Sequence, residues 1–372
     1  MTHVNGFSLR PVSRDGIVRS VSEKIRSRIT QSDVARAAGV ARTTVSYALK
    51  DNPKIPRATR EHVQKVARQL GYMPDPMLSS LALYRSRQRP KTFHGTLAWL
   101  FYTHDGDADW RGSPHYRGYF SGAMDRALFH GYQLEEFILH TGTMSSSRAA
   151  EILRTRNVSG ILLSPLPEPG MVIDFGWKYF SVVAFGYTLL SPRLHTVTAA
   201  HYQNVRYAMQ KLKARGYRRI GMIIDRVRDL RCHSSVSAGY LVEQMTTGSE
   251  VIPVHFDYSY CTAFSPESIR QISDYVRRHR IEAILTSESR IDELISSLPH
   301  KVPDDIAVAG ICLSTKRKAI GGILEDSEGI GAVAIDLLVA MIQRGERGIP
   351  ETPIRSHVEG VWHEGLSVQM AG

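Results

Sequence analysis

Five polar side chains lie in one short segment at a spacing that suits contact with a nucleic acid. The segment DVARAAGVARTTVSYALK (33–50) holds two helical patterns separated by AGV. In the second pattern, Val45 and Leu49 share one face at positions i and i+4. The opposite, polar face carries Arg42, Thr43, Ser46, Tyr47 and Lys50. Such groups donate hydrogen bonds to phosphates and base edges, so this face is a candidate DNA contact.

The elements that would position this face are three short helices. Thr30 and Asp33 have the N-cap and N3 positions of a first helix, and Gly39 ends that helix and permits a sharp turn. A third helix is predicted over 57–70. Its inward residues are Val63, Val66, Ala67 and Leu70. Three helices around one small core, with a tight turn between the first two, indicate a helix-turn-helix unit over 30–73.

The positive charge of the chain is concentrated in the same part of the sequence. Residues 1–94 carry 18 Lys and Arg against 6 Asp and Glu, a net charge of +12, whereas the remaining 278 residues carry 29 against 30, a net charge of −1. This distribution suits a polyanion, because neutralised phosphates release counterions, although a solvated basic tail would also show it. Residues 34–50 contain no acidic side chain, and solvated faces usually mix both signs, so we favour DNA.

Residues 33–76 resemble the DNA-binding head of the lac repressor (LacI/GalR) family. The matching motifs are DVA (33–35), AGV (38–40), TVS (44–46), TR (59–60) and GY-x-P (71–74). The resemblance implies that the side chains that contact bases are Arg42, Thr43 and Tyr47. It implies phosphate contacts at Thr30, Ser46, Lys50, Lys54 and Thr59. Tyr47 stands where many members carry Arg, and Ala41 and Lys50 replace the family's Ser and Asn.

The segment PDPMLSSLALYRSRQRPKTF (74–93) is predicted to be a hinge helix and linker. Asp75 is a plausible N-cap and Pro76 suits the first helical position. The resemblance implies that Leu81, with Leu78 nearby, inserts into the minor groove, where an apolar wedge kinks the duplex. The alternative is an amphipathic connector that packs on the following domain.

From residue 94 onward, strand patterns and helix patterns alternate, which favours parallel sheets with helices on both faces. The predicted strands are 96–102, 160–165, 179–186, 219–225, 282–287 and 306–313. The predicted helices are 116–130, 147–156, 201–215, 234–246, 266–279 and 329–344. The expected fold class is therefore a small all-α helix-turn-helix head followed by an α/β body of two Rossmann-like lobes.

The family body resembles a periplasmic sugar-binding protein, and the same organisation is implied for residues 94–372. GYRRIGMI (216–223) and VPDDIAVAGI (302–311) carry this weaker part of the resemblance. It implies three crossings between the lobes and a homodimer. The expected lobe 1 is 94–187 with 318–345, and the expected lobe 2 is 188–317 with 346–372.

The effector pocket implied by the resemblance is altered in this chain. Gly186, Val236 and Cys312 stand where the family has polar or charged sugar-binding groups, and Glu288-Ser289 replaces its Asn-Asp pair. The candidate effector-binding residues are Trp110, His115, Tyr116, Tyr187 and Glu288. Among them Trp110 and Tyr116 are the preferred pair for stacking on a sugar ring.

The sequence predicts a cytoplasmic transcriptional regulator, a repressor, that binds a pseudopalindromic operator in double-stranded DNA as a homodimer. A small-molecule effector, of carbohydrate-related chemistry, is expected in the interlobe cleft. No nucleophile–base pair or metal-ligand spacing is present, so we expect no enzyme, catalytic residue, metal or cofactor. No long apolar run and no apolar signal core occur, so we expect no membrane partner.

The alternatives are a regulator controlled by a protein partner, without a small ligand, and a cytoplasmic solute-binding sensor. Residues 1–29 form a basic extension that we expect to be disordered.

Overall fold

The computed structural model describes residues 29–49, 55–72, 93–104, 109–140, 142–248, 250–258 and 263–371. The chain divides into two compact units, residues 1–90 and residues 91–372, which we call the head and the body. The predicted extension and the predicted hinge lie outside the described residues, apart from Ile29 and Phe93.

In the described part of the head, three helices pack together, α1 (Gln31–Ala38), α2 (Arg42–Leu49) and α3 (Arg57–Gln69). Helix α1 begins with a reciprocal capping box, in which the amide of Asp33 donates to Thr30 Oγ1 at 3.3 Å and the amide of Thr30 donates to Asp33 Oδ2 at 2.9 Å. Gly39 ends α1 with a φ of 65°, which glycine adopts without a steric cost. The core is made of small side chains, namely Val34, Ala35, Ala38, Val45, Ala48, Val63 and Ala67. The three predicted helices are confirmed.

The body alternates strands and helices. Its strands are β1 (Gly95–Thr103), β2 (Tyr132–His140), β3 (Val158–Leu163), β4 (Met171–Val172), β5 (Ser181–Phe185), β6 (Leu189–Ser191), β7 (His195–Ala199), β8 (Ile220–Asp225), β9 (His255–Asp257), β10 (Ala283–Thr286), β11 (Ala307–Leu313), β12 (Gly321–Leu324), β13 (Arg355–Val358) and β14 (Val361–His363). Its α-helices are α4 (Pro114–Phe129), α5 (Ser146–Thr155), α6 (His201–Ala214), α7 (Arg226–Arg231), α8 (Ser235–Thr246), α9 (Pro266–His279), α10 (Glu288–Ser297) and α11 (Ser327–Arg344).

Twelve of these strands form two six-stranded sheets, each the centre of one lobe, and β4 and β6 pair in a separate two-stranded sheet. The first sheet has the order β13-β7-β5-β3-β1-β2 and is parallel throughout. The second has the order β14-β12-β11-β10-β8-β9, in which only β14 runs antiparallel to its neighbour. Both faces of each sheet carry a buried apolar cluster, as expected for parallel sheets covered by helices on both sides. The two-lobed α/β body is therefore confirmed.

Helices α4 and α11 cross in backbone contact on one face of the first sheet. A Cβ atom on Gly331 would lie 2.1 Å from the carbonyl oxygen of Tyr119, and one on Gly122 would lie 2.0 Å from the carbonyl oxygen of Glu328. Only glycine permits so close an approach. The crossing places the first turn of α11, which contains Ser327, beside the first turn of α4, which contains His115.

The lobe boundaries expected from the sequence need correction. Strand β7 belongs to the first sheet, so the first crossing follows residue 199 rather than 187. Strand β12 belongs to the second sheet, so the chain returns after residue 324 rather than 317. Strand β13 pairs with β7 and β14 pairs with β12, so the third crossing lies between residues 358 and 361 rather than after 345. The three crossings follow β7, β12 and β13, which are short strands of four or five residues without a long aliphatic run.

Candidate functional sites in the head and in the interlobe cleft

The outward face of α2 presents three of the predicted DNA-contacting side chains. Arg42, Thr43 and Tyr47 are exposed, and Tyr47 keeps 47% of its surface accessible. On the opposite face Val45 and Ala48 are fully buried in the head core. Arg42, Thr43 and Tyr47 together give this exposed face hydrogen-bonding groups that could contact bases or phosphates.

Contacts with the neighbouring helices hold α2 in place. Gln64 on α3 donates from Nε2 to the carbonyl oxygen of Ala48 at 3.1 Å, which satisfies one of the free carbonyls at the end of α2. At the start of α1, hydrogen bonds from Thr30 lower the pKa of Asp33, and Thr30 Oγ1 donates to Asp33 Oδ2 at 2.7 Å. The exposed face of α2 is thus held in place by the Gln64 hydrogen bond and by the head core.

The remaining predicted DNA contacts are distributed unevenly. Thr30 is exposed, whereas Ser46 and Thr59 are half-buried. Four further predicted residues lie outside the described part of the chain, namely Lys50, Lys54, Leu78 and Leu81.

In the body, the carboxyl ends of the parallel strands of both sheets border the interlobe cleft, which is where open α/β sheets bind ligands. Tyr187 follows β5, Glu288 follows β10, and Glu325 follows β12. Helix α4 contributes its first turn from lobe 1, with Ser113 as N-cap and Pro114 at its first position. This turn carries His115 and Tyr116 into the cleft.

An ionic cluster centred on His115 joins the two lobes. Nδ1 of His115 lies 3.0 Å from Oε1 of Glu325, and Nε2 lies 3.5 Å from Oε2 of Glu288. The same Glu325 oxygen accepts hydrogen bonds from Tyr119 Oη at 2.9 Å and from Ser327 Oγ at 2.8 Å. Glu288 also accepts from the amide of Ser314 at 2.9 Å.

The surroundings of this cluster keep both partners charged. Burial disfavours the charge on His115, but the nearby Glu325 and Glu288 carboxylates outweigh burial and raise the pKa of His115 to about 11. Burial likewise opposes ionisation of Glu325, but His115 outweighs it and lowers the pKa of Glu325 to about 2. Burial lowers the pKa of neighbouring His201, which favours its neutral form. The cluster is therefore a buried ion pair with a second carboxylate at its open side.

A second connection between the lobes is made by Arg231, the last residue of α7. Its Nη1 donates to the carbonyl oxygen of Leu166 at 2.8 Å and also to that of Pro167. Its Nη2 donates to Tyr116 Oη at 2.7 Å. Arg231 belongs to lobe 2, and all three acceptors belong to lobe 1. Arg231 therefore bridges the cleft by hydrogen bonds to lobe 1.

Aromatic and basic groups line another part of the same cleft. Tyr187 Oη lies 2.6 Å from His357 Nε2, and the Arg355 guanidinium stands over the Tyr187 ring at 5.0 Å. From lobe 2 the His233 ring lies 5.7 Å from the Tyr187 ring. His233 and Ser234 both have left-handed backbones, with φ values of 56° and 54°. Such strain in non-glycine residues is often found at ligand sites.

One predicted effector residue lies elsewhere. Trp110 keeps only 4% of its surface accessible, packs against Trp99 and Phe120, and donates from its indole nitrogen to Glu136 at 2.5 Å. Its ring is part of the lobe 1 core, so it is corrected from a ligand-stacking residue to a core residue. The other four predicted residues, His115, Tyr116, Tyr187 and Glu288, do meet at the cleft.

Sequence reasoning missed His233, Arg355 and His357 beside Tyr187, and it also missed Glu325, Arg228 and Arg231. Glu325 lies at the end of a short strand, and Arg228 and Arg231 lie on α7. A signal for the two arginines exists in the segment RVRDLR (226–231), because it directly follows strand β8 and spaces them by one helical turn. Nothing in the sequence near Glu325 indicates a distant histidine partner.

Comparison with known proteins agrees with this organisation. Residues 30–75 match the family model described as bacterial regulatory proteins, lacI family. The HTH-type transcriptional regulator CelR of Thermobifida fusca is 26% identical over 306 residues, which is 78% of this chain and 84% of the relative. The solved complex of transcriptional regulator CelR with cellobiose has a TM-score of 0.56 at 22% identity and covers 92% of this chain and 100% of that one. The lac repressor dimer bound to operator and the anti-inducer ONPF has a TM-score of 0.51 at 16% identity, with coverage of 92% and 100%.

A helix-turn-helix head joined to a two-lobed α/β body defines a DNA-binding transcriptional regulator. Residues 30–75 carry the helix-turn-helix domain of the lacI family of bacterial regulatory proteins, and the chain as a whole is similar to the HTH-type transcriptional regulator CelR. No helix in the described part of the chain is both long and apolar enough to cross a membrane. Within the same residues, no group of three His, Cys, Asp or Glu side chains is arranged to hold a metal ion.

Proposed function

We propose that the protein is a repressor that binds a pseudopalindromic operator as a homodimer and is controlled by a small molecule in the interlobe cleft. The observation that carries the DNA part is the exposed polar face of α2. Arg42, Thr43 and Tyr47 project from a helix whose other side is fixed by Val45 and Ala48. A short helix held in this way fits the width of the major groove.

The proposed division of roles follows the chemistry of the side chains. Arg42 suits a bidentate contact with guanine, and Thr43 suits a base edge or a thymine methyl group. Tyr47 supplies an exposed ring and a hydroxyl at the next turn. The phosphate contacts proposed at Thr30, Ser46, Lys50, Lys54 and Thr59 would set the register on the duplex. In the hinge, Leu81 and Leu78 are the proposed minor-groove residues.

The effector part of the proposal rests on the cleft. Its lobes are joined by His115 and Arg231 through hydrogen bonds that a bound molecule would supplement or replace. A ligand that favours one lobe arrangement shifts its population, and the coupling to DNA affinity is then reciprocal. The solved CelR complex contains cellobiose, which supports a carbohydrate-related ligand. The lac repressor structure is a dimer on its operator, which supports the proposed assembly.

Selection of DNA duplexes from a randomised pool, followed by fluorescence anisotropy across a salt series, tests the DNA part. We expect a palindrome to be enriched, and we expect Arg42→Ala to lose discrimination at one position of each half-site by roughly 1–3 kcal/mol. Arg68→Ala, which removes an exposed guanidinium from the end of α3, is the matched control and should keep the wild-type preference. Equal preferences in wild type and Arg42→Ala would contradict the proposed role of this face.

A further inference from the structure

The half-buried Arg231 guanidinium bridges the lobes without a carboxylate partner among the described residues. A guanidinium has five N–H donors. Two of them face the carbonyl oxygens of Leu166 and Pro167, and a third faces Tyr116 Oη. The Nε donor and one Nη2 donor remain, and neither makes a hydrogen bond within the described residues. A half-buried cation that meets only neutral acceptors lacks the compensation that buried charges normally have.

The two carboxylates of the cleft do not supply that compensation. Glu325 is held by His115, Tyr119 and Ser327, and Glu288 faces His115 and the amide of Ser314. On α7 itself, Asp229 accepts from Ser237 and Arg226. These three carboxylates therefore make their contacts with groups other than Arg231.

A second guanidinium, that of Arg228, adds positive charge to the part of the cleft formed by α7. Arg228 lies one helical turn before Arg231, and its charge acts on Cys232, Cys312 and His201. The charges of His115 and Glu325 also act on Cys312 and His201. Arg228 therefore lies near the ionic cluster.

An unpartnered hydroxyl lies on the lobe 1 side of the same region. Ser164 follows β3 directly and stands two residues before Leu166, whose carbonyl oxygen binds Arg231. Only 1% of its surface is accessible, and its Oγ has no hydrogen-bond partner within the described residues. Buried hydroxyls are almost always hydrogen-bonded, so a missing polar partner is indicated here.

We propose that the cleft binds a hydroxylated anion, a sugar acid or a sugar phosphate, whose oxyanion is held by the two Arg231 donors that make no hydrogen bond within the described residues. This inference rests on the proposed effector function and specifies its chemistry. The planar donors of arginine match the oxygens of a carboxylate or phosphate, and such charge-assisted bonds are stronger than bonds to a neutral hydroxyl. The oxyanion would supply the missing countercharge, and hydroxyl groups of the ligand would supply partners for groups such as Ser164.

The test uses the full chain and a panel of hexoses and pentoses, each offered as the neutral sugar, as its uronate and as its terminal phosphate. Binding is measured by calorimetry and by the shift in thermal unfolding, which a ligand raises by mass action. We expect at least one acid to bind about tenfold or more tightly than its neutral sugar. The uronate and phosphate arms distinguish the two sources of the oxyanion.

The variant Arg231→Gln should reduce the acid-to-neutral affinity ratio to near one, and Arg231→Lys should restore part of it, because the charge returns without the planar pair of donors. Arg270→Gln, which removes an exposed guanidinium on α9, is the control and should leave the ratio unchanged. The ratio separates loss of the anion contact from a general loosening of the lobes, which would weaken both members of each pair.

Other outcomes overturn the inference. If neutral sugars bind as tightly as their acids, or if Arg231→Gln keeps the ratio, the oxyanion is not held by Arg231. Anisotropy with the selected duplex, measured in parallel, distinguishes this failure from failure of the proposed function. A neutral sugar that changes DNA affinity would leave the effector function intact and refute the anionic ligand. If no compound in the panel binds, the anionic ligand is refuted, and duplex binding then decides the DNA part alone.

Discussion

Nδ1 of His115 lies 3.0 Å from Oε1 of Glu325, and this ion pair connects the first helix of lobe 1 to the end of a strand of lobe 2. The side chain of Glu325 is only 4% exposed and that of His115 is 15% exposed. Charges this deeply buried are stable only as a pair, since removing one partner leaves the other without compensation. The pair therefore ties the stability of the body to the relative placement of its lobes.

The variant His115→Gln should destabilise the body by about 3–5 kcal/mol, because Glu325 would remain buried without its cation. Urea unfolding followed by tryptophan fluorescence measures this effect, since all four tryptophans lie in the body.

His130→Gln is the matched control. His130 Nε2 lies 2.7 Å from Oδ1 of Asp336, a half-exposed carboxylate that Arg126 also binds, so its loss should cost about 1 kcal/mol or less. Equal losses of stability in the two variants would show that the buried His115–Glu325 pair contributes no more to stability than the half-exposed His130–Asp336 pair.

The contribution of this pair should depend on pH in a defined window. The pKa of His115 is raised from 6.5 to about 11, so its stabilising contribution is complete below pH 6.5 and declines as the pH rises toward 11. The pKa of Glu325 is lowered from 4.5 to about 2, so its contribution is complete above pH 4.5 and declines as the pH falls toward 2. Both statements describe one interaction, which is therefore strongest between pH 4.5 and pH 6.5.

The difference in urea midpoint between wild type and His115→Gln should be largest inside this window and smaller at alkaline pH. A difference that grows with alkaline pH would contradict the assigned charges.

Much of the architecture was predictable because it is encoded in local periodicity. The strand pattern at 306–313 became β11 (Ala307–Leu313), and the helix pattern at 266–279 became α9 with the same bounds. Strand β7 escaped prediction because HTVTA contains a single long aliphatic residue, although all five of its residues are buried. Strand β7 belongs to the first sheet because it pairs with β5 and β13. No local sequence pattern indicates this pairing, so the first crossing between the lobes could not be placed from the sequence.

The cleft was less predictable for a similar reason. His115 and Glu288 were candidates because they fall on pocket positions of the lac repressor family, but their approach across the lobes depends on tertiary structure. Arg231 reaches lobe 1 carbonyls that lie about 65 positions away in sequence. Trp110 was misassigned because an aromatic side chain near a predicted loop has the same sequence signature whether it stacks on a ligand or fills a core.

The variant Thr30→Ala should weaken the start of α1, because Thr30 accepts from the amide of Asp33 and completes the capping box. Loss of an N-cap costs about 1 kcal/mol. Hydrogen exchange of the α1 amides should therefore speed up, whereas exchange in the body should be unchanged. Thr30→Ser, which keeps the hydroxyl, is the control and should exchange like wild type. Unchanged α1 exchange in Thr30→Ala would show that the cap is not needed there.

The variant Gly331→Ala should destabilise the body, since its Cβ would lie 2.1 Å from the carbonyl oxygen of Tyr119 and 2.7 Å from the amide nitrogen of Ala123. Both neighbours are backbone atoms, so α4 and α11 must separate, at a cost of about 1–3 kcal/mol or more. Tryptophan fluorescence during urea unfolding checks this expectation. Gly345→Ala is unsuitable as a control because Gly345 has a φ of 70°. Val333→Ala, a half-exposed position on the same helix, serves instead and should change stability little.

The variant Tyr47→Phe removes a single exposed hydroxyl from the recognition face and keeps the ring. If the hydroxyl contacts a base edge, the variant should lose discrimination at one base pair per half-site by roughly 1–3 kcal/mol, with little change in the salt dependence of binding, since no phosphate contact is lost. Tyr72→Phe is the matched control, because Tyr72 packs against the head core rather than projecting from α2. Anisotropy with the selected duplex and its single-base variants gives the measurement. If Tyr47→Phe binds all variants as wild type does, the ring rather than the hydroxyl makes the contact, and Tyr47→Ala should then lose the discrimination that Tyr47→Phe retains.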